Sequence, residues 1–279
     1  MTEEGRRRIV VAMDASEHSV AGLEAAIRLA EATGAEVVGV FVEDERLLGA
    51  AQSPFASEVD YFSGDLRRLQ PAELERQIQS DARRARATVR RLAEGRVPWQ
   101  FRTLRGHPDA ELQTLAREAD VITVGIRGRS PGRGPGSTVR FLLTGPDVRV
   151  LVVRRGRPLQ GAVHVLHDGS AEADEALDFA LGLERTDRRG LVVLTLGSQE
   201  EGDRLADLES RLEERLQTAP MPVRILRLTQ PFTKPDHLCR QLDGARAGLL
   251  VAARSSLKAT CGDLRELLHR APCPVLVTG

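Results

Sequence analysis

Short apolar runs alternate with amphipathic stretches along most of the chain. Residues 8–13 form a β-branched run without polar alternation, which is typical of a strand buried on both faces. Apolar residues then recur at helical spacing between Ser16, a good helix N-cap, and Gly34, a good helix stop. Residues 36–42 form the next apolar run. Two such runs joined by one helix predict a right-handed βαβ unit, and hence an α/β fold.

The same alternation continues, with one interruption, through the first half of the chain. Residues 44–70 lack a clear period and contain several aromatic residues, so we expect a long excursion with short helical pieces that packs against another surface rather than lying free in solvent. After it, helices are expected to open at Pro71, Pro108 and Ser137. Strands are expected at 97–104, 121–124 and 148–153. Together these elements predict a five-stranded, doubly wound parallel sheet flanked by helices.

The pattern occurs twice. Asp14 recurs as Asp168, an offset of 154 (168 − 14), and the helical stretch and apolar run that follow it recur at the same offset. The chain therefore predicts two tandem domains, a first domain over residues 1–155 and a second domain over residues 161–279. Each is expected to contain its own five-stranded parallel sheet.

The charge balance narrows the class of partner. Of 279 residues, 40 are Lys or Arg and 40 are Asp or Glu, so the formal net charge is zero. A protein dedicated to nucleic acid or to anionic membranes usually carries a basic surplus, so neither partner is expected. No apolar run of about 18 residues is present to span a membrane, and the N-terminal region lacks a signal-peptide core. We therefore expect a cytoplasmic protein whose three cysteines are free thiols.

The candidate chemistry is concentrated in one loop of the first domain. Gly125-Ile-Arg-Gly128 follows a predicted strand, and Gly136-Ser137-Thr138 opens a predicted helix. Glycines let the backbone approach a phosphate closely, and the start of a helix attracts an anion. Ligands of open α/β sheets bind beyond the carboxyl ends of the strands, where Asp14 also lies. The loop, with Arg127 inside it, therefore predicts a phosphate-binding site.

Other catalytic motifs are absent from the sequence. It contains no G-x-x-x-x-G-K-[ST], G-x-S-x-G or H-E-x-x-H motif, and its histidines and cysteines lack metal-ligand spacing. Neither a catalytic residue nor a metal site is therefore predicted. His167 and Asp168 are adjacent at a strand end, where successive side chains point to opposite sides. We interpret them as structural residues rather than an acid–base pair.

These residues also carry a family resemblance that covers nearly the whole chain. The segments that carry it are Val10-Val-Ala-Met-Asp14-Ala-Ser16, Gly106-His-Pro108, Asp120-Val-Ile-Thr-Val-Gly125-Ile-Arg-Gly128, Gly136-Ser137 and Ala271-Pro-Cys-Pro-Val-Leu-Val277. The chain resembles a tandem universal stress protein, in which two domains of the adenine-nucleotide α-hydrolase-like fold are fused. Nucleotide-binding members of that family carry G-x2-G-x9-G-[ST] and bind ATP in the cleft beyond the strands.

The resemblance implies a role for two sets of residues. Those expected on the adenosine side of ATP, with or without Mg²⁺, are Ala12, Asp14 and Val42. Those expected on the phosphates are Gly125, Arg127, Gly128, Gly136, Ser137 and Thr138. In the family, single domains pair through their last strands. Val150–Val153 is therefore expected beside Val275–Thr278 as a pseudo-dimer within one chain, and two chains could pair again as a homodimer.

The chain departs from the family pattern in both domains. Seven residues, not nine, separate Gly128 from Gly136, and two prolines in this region make the loop stiffer. In the second domain Ala253 and Ser256 replace the first two glycines, and Asp263 replaces the serine. The added Cβ atoms would narrow the backbone approach, and the carboxylate would repel a phosphate. A nucleotide is therefore expected in the first domain only.

The resulting hypothesis is a stress-response protein that binds an adenine nucleotide and acts as a sensor or regulator rather than a catalyst. No general base is evident, so at most slow ATP hydrolysis is expected. The alternative is a protein-interaction module on the same fold, in which residues 44–95 recruit a partner. A third alternative is an enzyme of the wider adenine-nucleotide α-hydrolase group. The absence of an S-G-G-x-D-S-type loop at the first strand disfavours that enzyme.

Overall fold

Ten of the described strands form one continuous sheet. The computed structural model describes residues 7–53, 55–59, 64, 66–128, 135–145, 148–187, 190–197, 202–229 and 235–279. The elements of the first domain are β1 (Arg8–Met13), α1 (Glu17–Thr33), β2 (Glu36–Asp44), α2 (Glu45–Ala51), β3 (Ser57–Val59), β4 (Leu66–Arg68), α3 (Pro71–Ala93), β5 (Trp99–Gly106), α4 (Pro108–Arg117), β6 (Val121–Gly125), α5 (Ser137–Leu142) and β7 (Val150–Val153). Those of the second domain are β8 (Val163–His167), α6 (Ala171–Asp187), β9 (Leu191–Gly197), α7 (Gly202–Leu216), β10 (Val223–Thr229), α8 (Pro235–Gly244), β11 (Leu249–Ala253), α9 (Arg254–Cys261), α10 (Leu264–Arg270) and β12 (Val275–Thr278).

Each domain contributes five parallel strands to the sheet. The strand order is β10-β9-β8-β11-β12-β7-β6-β1-β2-β5. Neighbouring strands are parallel except β7 and β12, which are antiparallel, with Val152 opposite Val275 and Val150 opposite Val277. This confirms the doubly wound α/β fold, and the last strands of the two domains pair within the chain as expected. The strand order reverses between β1 and β6 in the first domain, and such a reversal opens a crevice at the carboxyl ends of the strands.

Helices cover both faces of the sheet. On β1, Val11 belongs to the core that contains residues of α1 and α3, whereas Val10 belongs to the core that contains residues of α4 and α5. This explains why residues 8–13 show no polar alternation. The first core also runs across the seam between the domains, because it contains Leu151 of β7 and Leu276 of β12.

Local signals fix the ends of α1. The Ser16 side chain accepts a hydrogen bond from the Ser19 N–H at 3.1 Å, which is the predicted N-cap. Gly34 ends the helix with φ +68° and donates its N–H to the carbonyl of Ala30. Side chains with a Cβ avoid this left-handed conformation, so glycine is the favoured stop. The cap places the first turn of α1 beside the carboxyl end of β1.

The excursion after β2 differs from its prediction. It begins with α2, one of the expected helical pieces, and then forms an antiparallel pair in which Ser57 of β3 lies opposite Arg68 of β4. We expected the excursion, with its aromatic residues, to pack against another surface; in this chain by itself the aromatic Phe55 is 89% exposed and the apolar Leu66 is 74% exposed. Tyr61 and Phe62, which belong to the same prediction, lie outside the described residues.

Two further observations concern membranes and thiols. Within the described ranges, every helix is too short or too polar to cross a membrane. Cys239, Cys261 and Cys273 are free, as expected. Burial raises the pKa of Cys239 to about 11 and the pKa of the other two thiols to about 12. Thiols with such high pKa values carry little thiolate at neutral pH and are poor nucleophiles.

Candidate functional site

The candidate site lies where β1 and β6 diverge, and its first wall is the turn after β1. Asp14 follows the last residue of β1, and its Oδ1 accepts a hydrogen bond from the Ser16 N–H at 3.0 Å. Ala15, between them, has φ +61°, a left-handed conformation that is strained for a residue with a Cβ. The turn therefore holds the Asp14 carboxylate in one place at the edge of the sheet.

The glycines of the loop after β6 converge on this carboxylate. A Cβ built on Gly128 would lie 3.0 Å from Asp14 Oδ2, so Gly128 is in direct contact with the first wall. The Gly136 N–H donates to the carbonyl of Ile126 at 2.9 Å, and a Cβ built on Gly136 would lie 3.8 Å from the Gly128 nitrogen. The two ends of the loop thus meet beside Asp14. We call this region, bounded by Asp14, Arg127, Gly128 and Gly136, the first-domain cleft.

Pro135, at the end of the loop, is buried, whereas Pro131 lies outside the described residues together with the rest of 129–134. The predicted stiffening of the loop by its two prolines therefore stays a prediction.

Gly125 has a different task from the one its sequence pattern suggested. A Cβ at this position would lie 2.7 Å from the carbonyl carbon of His18 and 2.8 Å from the His18 Cβ. Real Cβ atoms do not approach backbone atoms this closely, so the glycine lets β6 and the first turn of α1 meet. Its contact with a phosphate stays a prediction.

His18 is a residue of the cleft that sequence reasoning missed. Its Nδ1 is buried and has no hydrogen-bond partner among the described residues. Burial lowers the pKa of His18, and the positive charge of Arg127 lowers it further, while Asp14 and Glu17 act in the opposite direction. The side chain is therefore electrostatically coupled to the predicted phosphate-binding residue. Its position in the first turn of α1, after the Ser16 cap, was the only available signal.

Arg127 lies between the two domains. Its Nη2 is 3.5 Å from Nδ1 of His269, which lies at the end of α10 in the second domain. Arg154, after β7, donates to the backbone carbonyl of the same histidine. Burial lowers the pKa of His269, and the charges of Arg127, Arg154 and Arg270 lower it further. No pattern in the sequence links position 127 to position 269, because the contact depends on the β7–β12 pairing.

The remaining predicted residues divide into two groups. Ala12 and Val42 are partly buried on neighbouring strands and pack against the same core, so they form an apolar wall beside the cleft. Ser137 is exposed at the start of α5. Thr138 is engaged elsewhere, because its hydroxyl donates to Asp109 Oδ1 of α4 at 2.9 Å. The structure therefore brings Asp14, Gly128 and Gly136 together but directs the Thr138 hydroxyl toward α4.

The equivalent region of the second domain is filled by a helix. β11 is followed directly by α9, whose Ser256 and Leu257 are completely buried. Asp263 caps α10, because its Oδ1 accepts hydrogen bonds from the N–H groups of Arg265 at 2.8 Å and Glu266 at 3.4 Å. The second domain thus has α9 where the first domain has its glycine loop.

The turn after β8 keeps its hydrogen bonds. Asp168 Oδ1 accepts from the N–H and the hydroxyl of Ser170 at 3.0 and 2.6 Å. Burial by itself raises the pKa of Asp168, but these hydrogen bonds outweigh it and the pKa lies below its usual value. His167 is buried and contacts Asp174 at 3.4 Å, and its Nδ1 accepts from the Gly169 N–H at 3.2 Å. This geometry accords with the structural interpretation of both residues.

The fold agrees with that of the proteins to which the chain is similar. The profile of the Universal stress protein family matches residues 5–154, just over half of the chain. The chain belongs to the universal stress protein family. A universal stress protein from Archaeoglobus fulgidus is 18% identical and superposes with a TM-score of 0.73, each chain covering 97% of the other. A putative universal stress protein from Pseudomonas aeruginosa is 14% identical, with a TM-score of 0.62, over 98% of this chain and 93% of its own.

A universal stress protein in complex with cAMP also matches, over 54% of this chain and 98% of its own, with 21% identity and a TM-score of 0.34. No curated protein is detectably similar to this universal stress protein. The two nearly full-length matches show that the fold of the entire chain, including the tandem arrangement, is that of known universal stress proteins.

Proposed function

We propose that this stress protein binds an adenine nucleotide of the ATP type, with or without Mg²⁺, in its first domain. The observation that carries the proposal is the contrast between the two domains at the reversal of strand order. In the first domain, backbone without side chains faces Asp14, and Arg127 supplies a positive charge. In the second domain, Ser256 and Leu257 of α9 are buried in the equivalent region.

The proposed binding mode follows from the placement of the walls. Ala12 and Val42 offer apolar contact to the adenine, and Asp14 is held where it can accept hydrogen bonds from the ribose. Gly125, Gly128 and Gly136 bring backbone near the phosphates, with Arg127 as the counter-charge. Ser137 is exposed and available to a phosphate oxygen, whereas Thr138 must first release Asp109.

We assign the protein a regulatory role rather than a catalytic one. Arg127 contacts the second domain through His269, so a bound phosphate would alter a contact between domains. An isolated site that only stored a nucleotide would need no such contact. Slow ATP hydrolysis, a cytoplasmic location and a homodimer of chains remain predictions, to be checked by phosphate release, cell fractionation and sedimentation equilibrium.

Calorimetric titration with MgATP tests the proposal. We expect saturable binding of one ATP per chain, and loss of at least about tenfold in affinity in Gly128→Asp, which sets a carboxylate against Asp14 and the phosphates. Gly202→Asp is the matched control, because it adds the same charge at the start of α7, where an added Cβ meets no atom within 4 Å. Folded wild-type protein that gives no heat at millimolar ATP would overturn the proposal, as would equal affinity in both variants.

A second candidate function, a protein-interaction module, is favoured by the exposed apolar side chains of the excursion. Leu47, Phe55 and Leu66 are 45%, 89% and 74% exposed, and large apolar side chains this exposed often mark a contact surface. A photo-crosslinking amino acid at position 55 tests it. Capture of one discrete protein, lost in Leu66→Ser, would support this candidate, and the absence of any crosslinked protein would count against it.

A further inference from the structure

A side chain of the second domain contacts Arg127, one of the residues that bound the first-domain cleft. Antiparallel pairing of β7 and β12 brings the end of α10 next to the loop after β6. There His269 Nδ1 lies 3.5 Å from Arg127 Nη2, and Arg154 holds the backbone carbonyl of the same histidine. Arg154 therefore holds the backbone of His269, and Arg127 contacts the imidazole ring.

The chemistry of the two groups defines the state of the ring. An arginine guanidinium only donates hydrogen bonds, so a contact at Nδ1 requires a free lone pair on that nitrogen. The imidazole must then be neutral, with its proton on Nε2. A protonated ring would present N–H to N–H and would repel the guanidinium.

We propose that His269 is a positioning residue of the first-domain cleft, which in its neutral form holds the Arg127 guanidinium on the second domain and when protonated releases it to an anionic ligand. The proposal rests on the proposed function, in which Arg127 contacts the phosphates of an adenine nucleotide. It gives the second domain a part in the first-domain site, although the sequence of the second domain predicted no residue of that site.

The groups around the His269 ring set the pH range over which it is protonated. The described charges that act on His269 are Arg127 from the loop after β6, Arg154 after β7 and Arg270 of its own helix, while Asp236 of α8 and Glu266 of α10 are both paired with Arg270. Burial and the three arginines lower the pKa of His269 below its ordinary value of 6.5. The ring is therefore neutral at pH 7 and protonates only in acid. Neutralisation of Arg127 by a phosphate removes part of this effect, so binding near pH 6 should take up protons.

The test compares MgATP affinity at pH 8.0 and pH 5.5 in wild type and four variants. Wild type is expected to bind about three- to tenfold more tightly at pH 5.5 than His269→Asn does, and about equally at pH 8.0. Asparagine offers an acceptor near the position of Nδ1 but does not titrate. His269→Ala, which removes the acceptor, is expected to bind more tightly than wild type at pH 8.0. The protonation of ATP itself cancels, because the proteins are compared at the same pH.

His237→Asn on α8 is the matched control and is expected to follow wild type at both pH values. A wild-type advantage over His269→Asn at pH 5.5 that is absent at pH 8.0, with His237→Asn binding like wild type at both pH values, supports the proposal. Equal affinities of wild type and His269→Asn at both pH values would overturn it. A pH dependence lost in His18→Asn and kept in His269→Asn would also overturn it.

A ligand-free measurement separates this proposal from the proposed function. Histidine titration by NMR is expected to show a higher pKa for His269 in Arg127→Gln than in wild type, because a positive charge beside the ring has been removed. An unchanged pKa would overturn the contact. A raised pKa in a protein that binds no ATP at any pH would remove the proposed function, and with it the role of His269 in ligand binding, while confirming the contact.

Discussion

The two domains share one strand order but continue differently after the fourth strand of their sheets. In the first domain, β6 runs into a glycine loop whose ends meet beside Asp14. In the second domain, β11 runs directly into α9, and Ser256 and Leu257 are buried there. The comparison shows that the sheet supplies a crevice in either case. The two domains differ in the segment after that strand and not in the sheet, in keeping with the rule that function belongs to the site and not to the fold.

Several local features of the candidate site cost stability. The first domain holds Ala15 at φ +61°, leaves the His18 Nδ1 buried without a described partner, and begins α5 at Gly136 without a side-chain cap. In the second domain Gly169 takes the place of Ala15, with φ +86°, and Asp263 caps α10. Strain and missing caps of this kind cost stability and are common at functional sites.

The largest expected effect comes from replacing Gly125, at the end of β6, by the alanine that the second domain has at the end of β11. Gly125→Ala sets a Cβ against the backbone of His18, and overpacking of this kind costs about 1–3 kcal/mol of unfolding free energy. Gly49→Ala in α2 is the control, because its Cβ meets no atom within 4 Å and alanine favours a helix by about 0.5–1 kcal/mol. Urea unfolding measures both, and a harmless Gly125→Ala would contradict the assigned contact.

The second effect concerns buried histidines, which β8 has and β1 lacks. Burial lowers the pKa of His164 and of His167, so both bind a proton less readily in the folded protein than in the unfolded chain. The unfolded chain binds more protons below the ordinary pKa of 6.5, and the unfolding free energy should therefore fall with pH below that value. The slope is at most about 1.4 kcal/mol per pH unit for each histidine.

The matched variant is His164→Val, because Val10 occupies the same place on β1 (164 − 10 = 154). Thermal or urea unfolding between pH 5 and pH 7 should show a shallower pH dependence in this variant. An identical pH dependence in wild type and variant would indicate that His164 does not change its protonation on unfolding.

A smaller effect is expected from exchanging the helix caps. Gly136→Asp should stabilise the protein by a few tenths of a kcal/mol, because it gives α5 the cap that Asp263 gives α10. The same change should weaken MgATP binding, because it sets a carboxylate beside Gly128. Asp263→Gly should cost a few tenths of a kcal/mol and leave ATP affinity unchanged. Tighter ATP binding in Gly136→Asp would contradict the placement of the phosphates.

The smallest effect concerns the thiols, all of which lie in the second domain. Cys261 and Cys273 are buried, and their high pKa values leave almost no thiolate at pH 8. We expect them to react with a thiol reagent only after unfolding, with Cys239 reacting somewhat faster because it is only partly buried. Rapid labelling of Cys273 in native protein would show that the second domain opens more readily than its packing suggests.

Much of the fold was predictable because its signals are local. The apolar run at 8–13, the cap Ser16 and the stop Gly34 each act through neighbouring residues, and their elements were placed correctly. The repeat at a fixed offset carried the prediction over to the second domain. The β7–β12 pairing was expected only through the family resemblance, and the structure confirms it.

The errors and omissions concern contacts between elements distant in sequence. The β3–β4 pair was missed because both strands are three residues long and lack a clear polar alternation. Gly125 was interpreted through the ligand alone, since the approach of His18 depends on how α1 lies on the sheet. His269 could not be connected with Arg127 until both domains were placed side by side.

The central claim is that one domain has an open site and the other does not. Amide hydrogen exchange of the entire chain, with and without saturating MgATP, tests it most directly because every domain reports separately. We predict slower exchange at Gly125–Gly128 and at the start of α5, with no change across 253–263. Protection across 253–263, or a nucleotide that slows exchange in neither domain, would contradict the account.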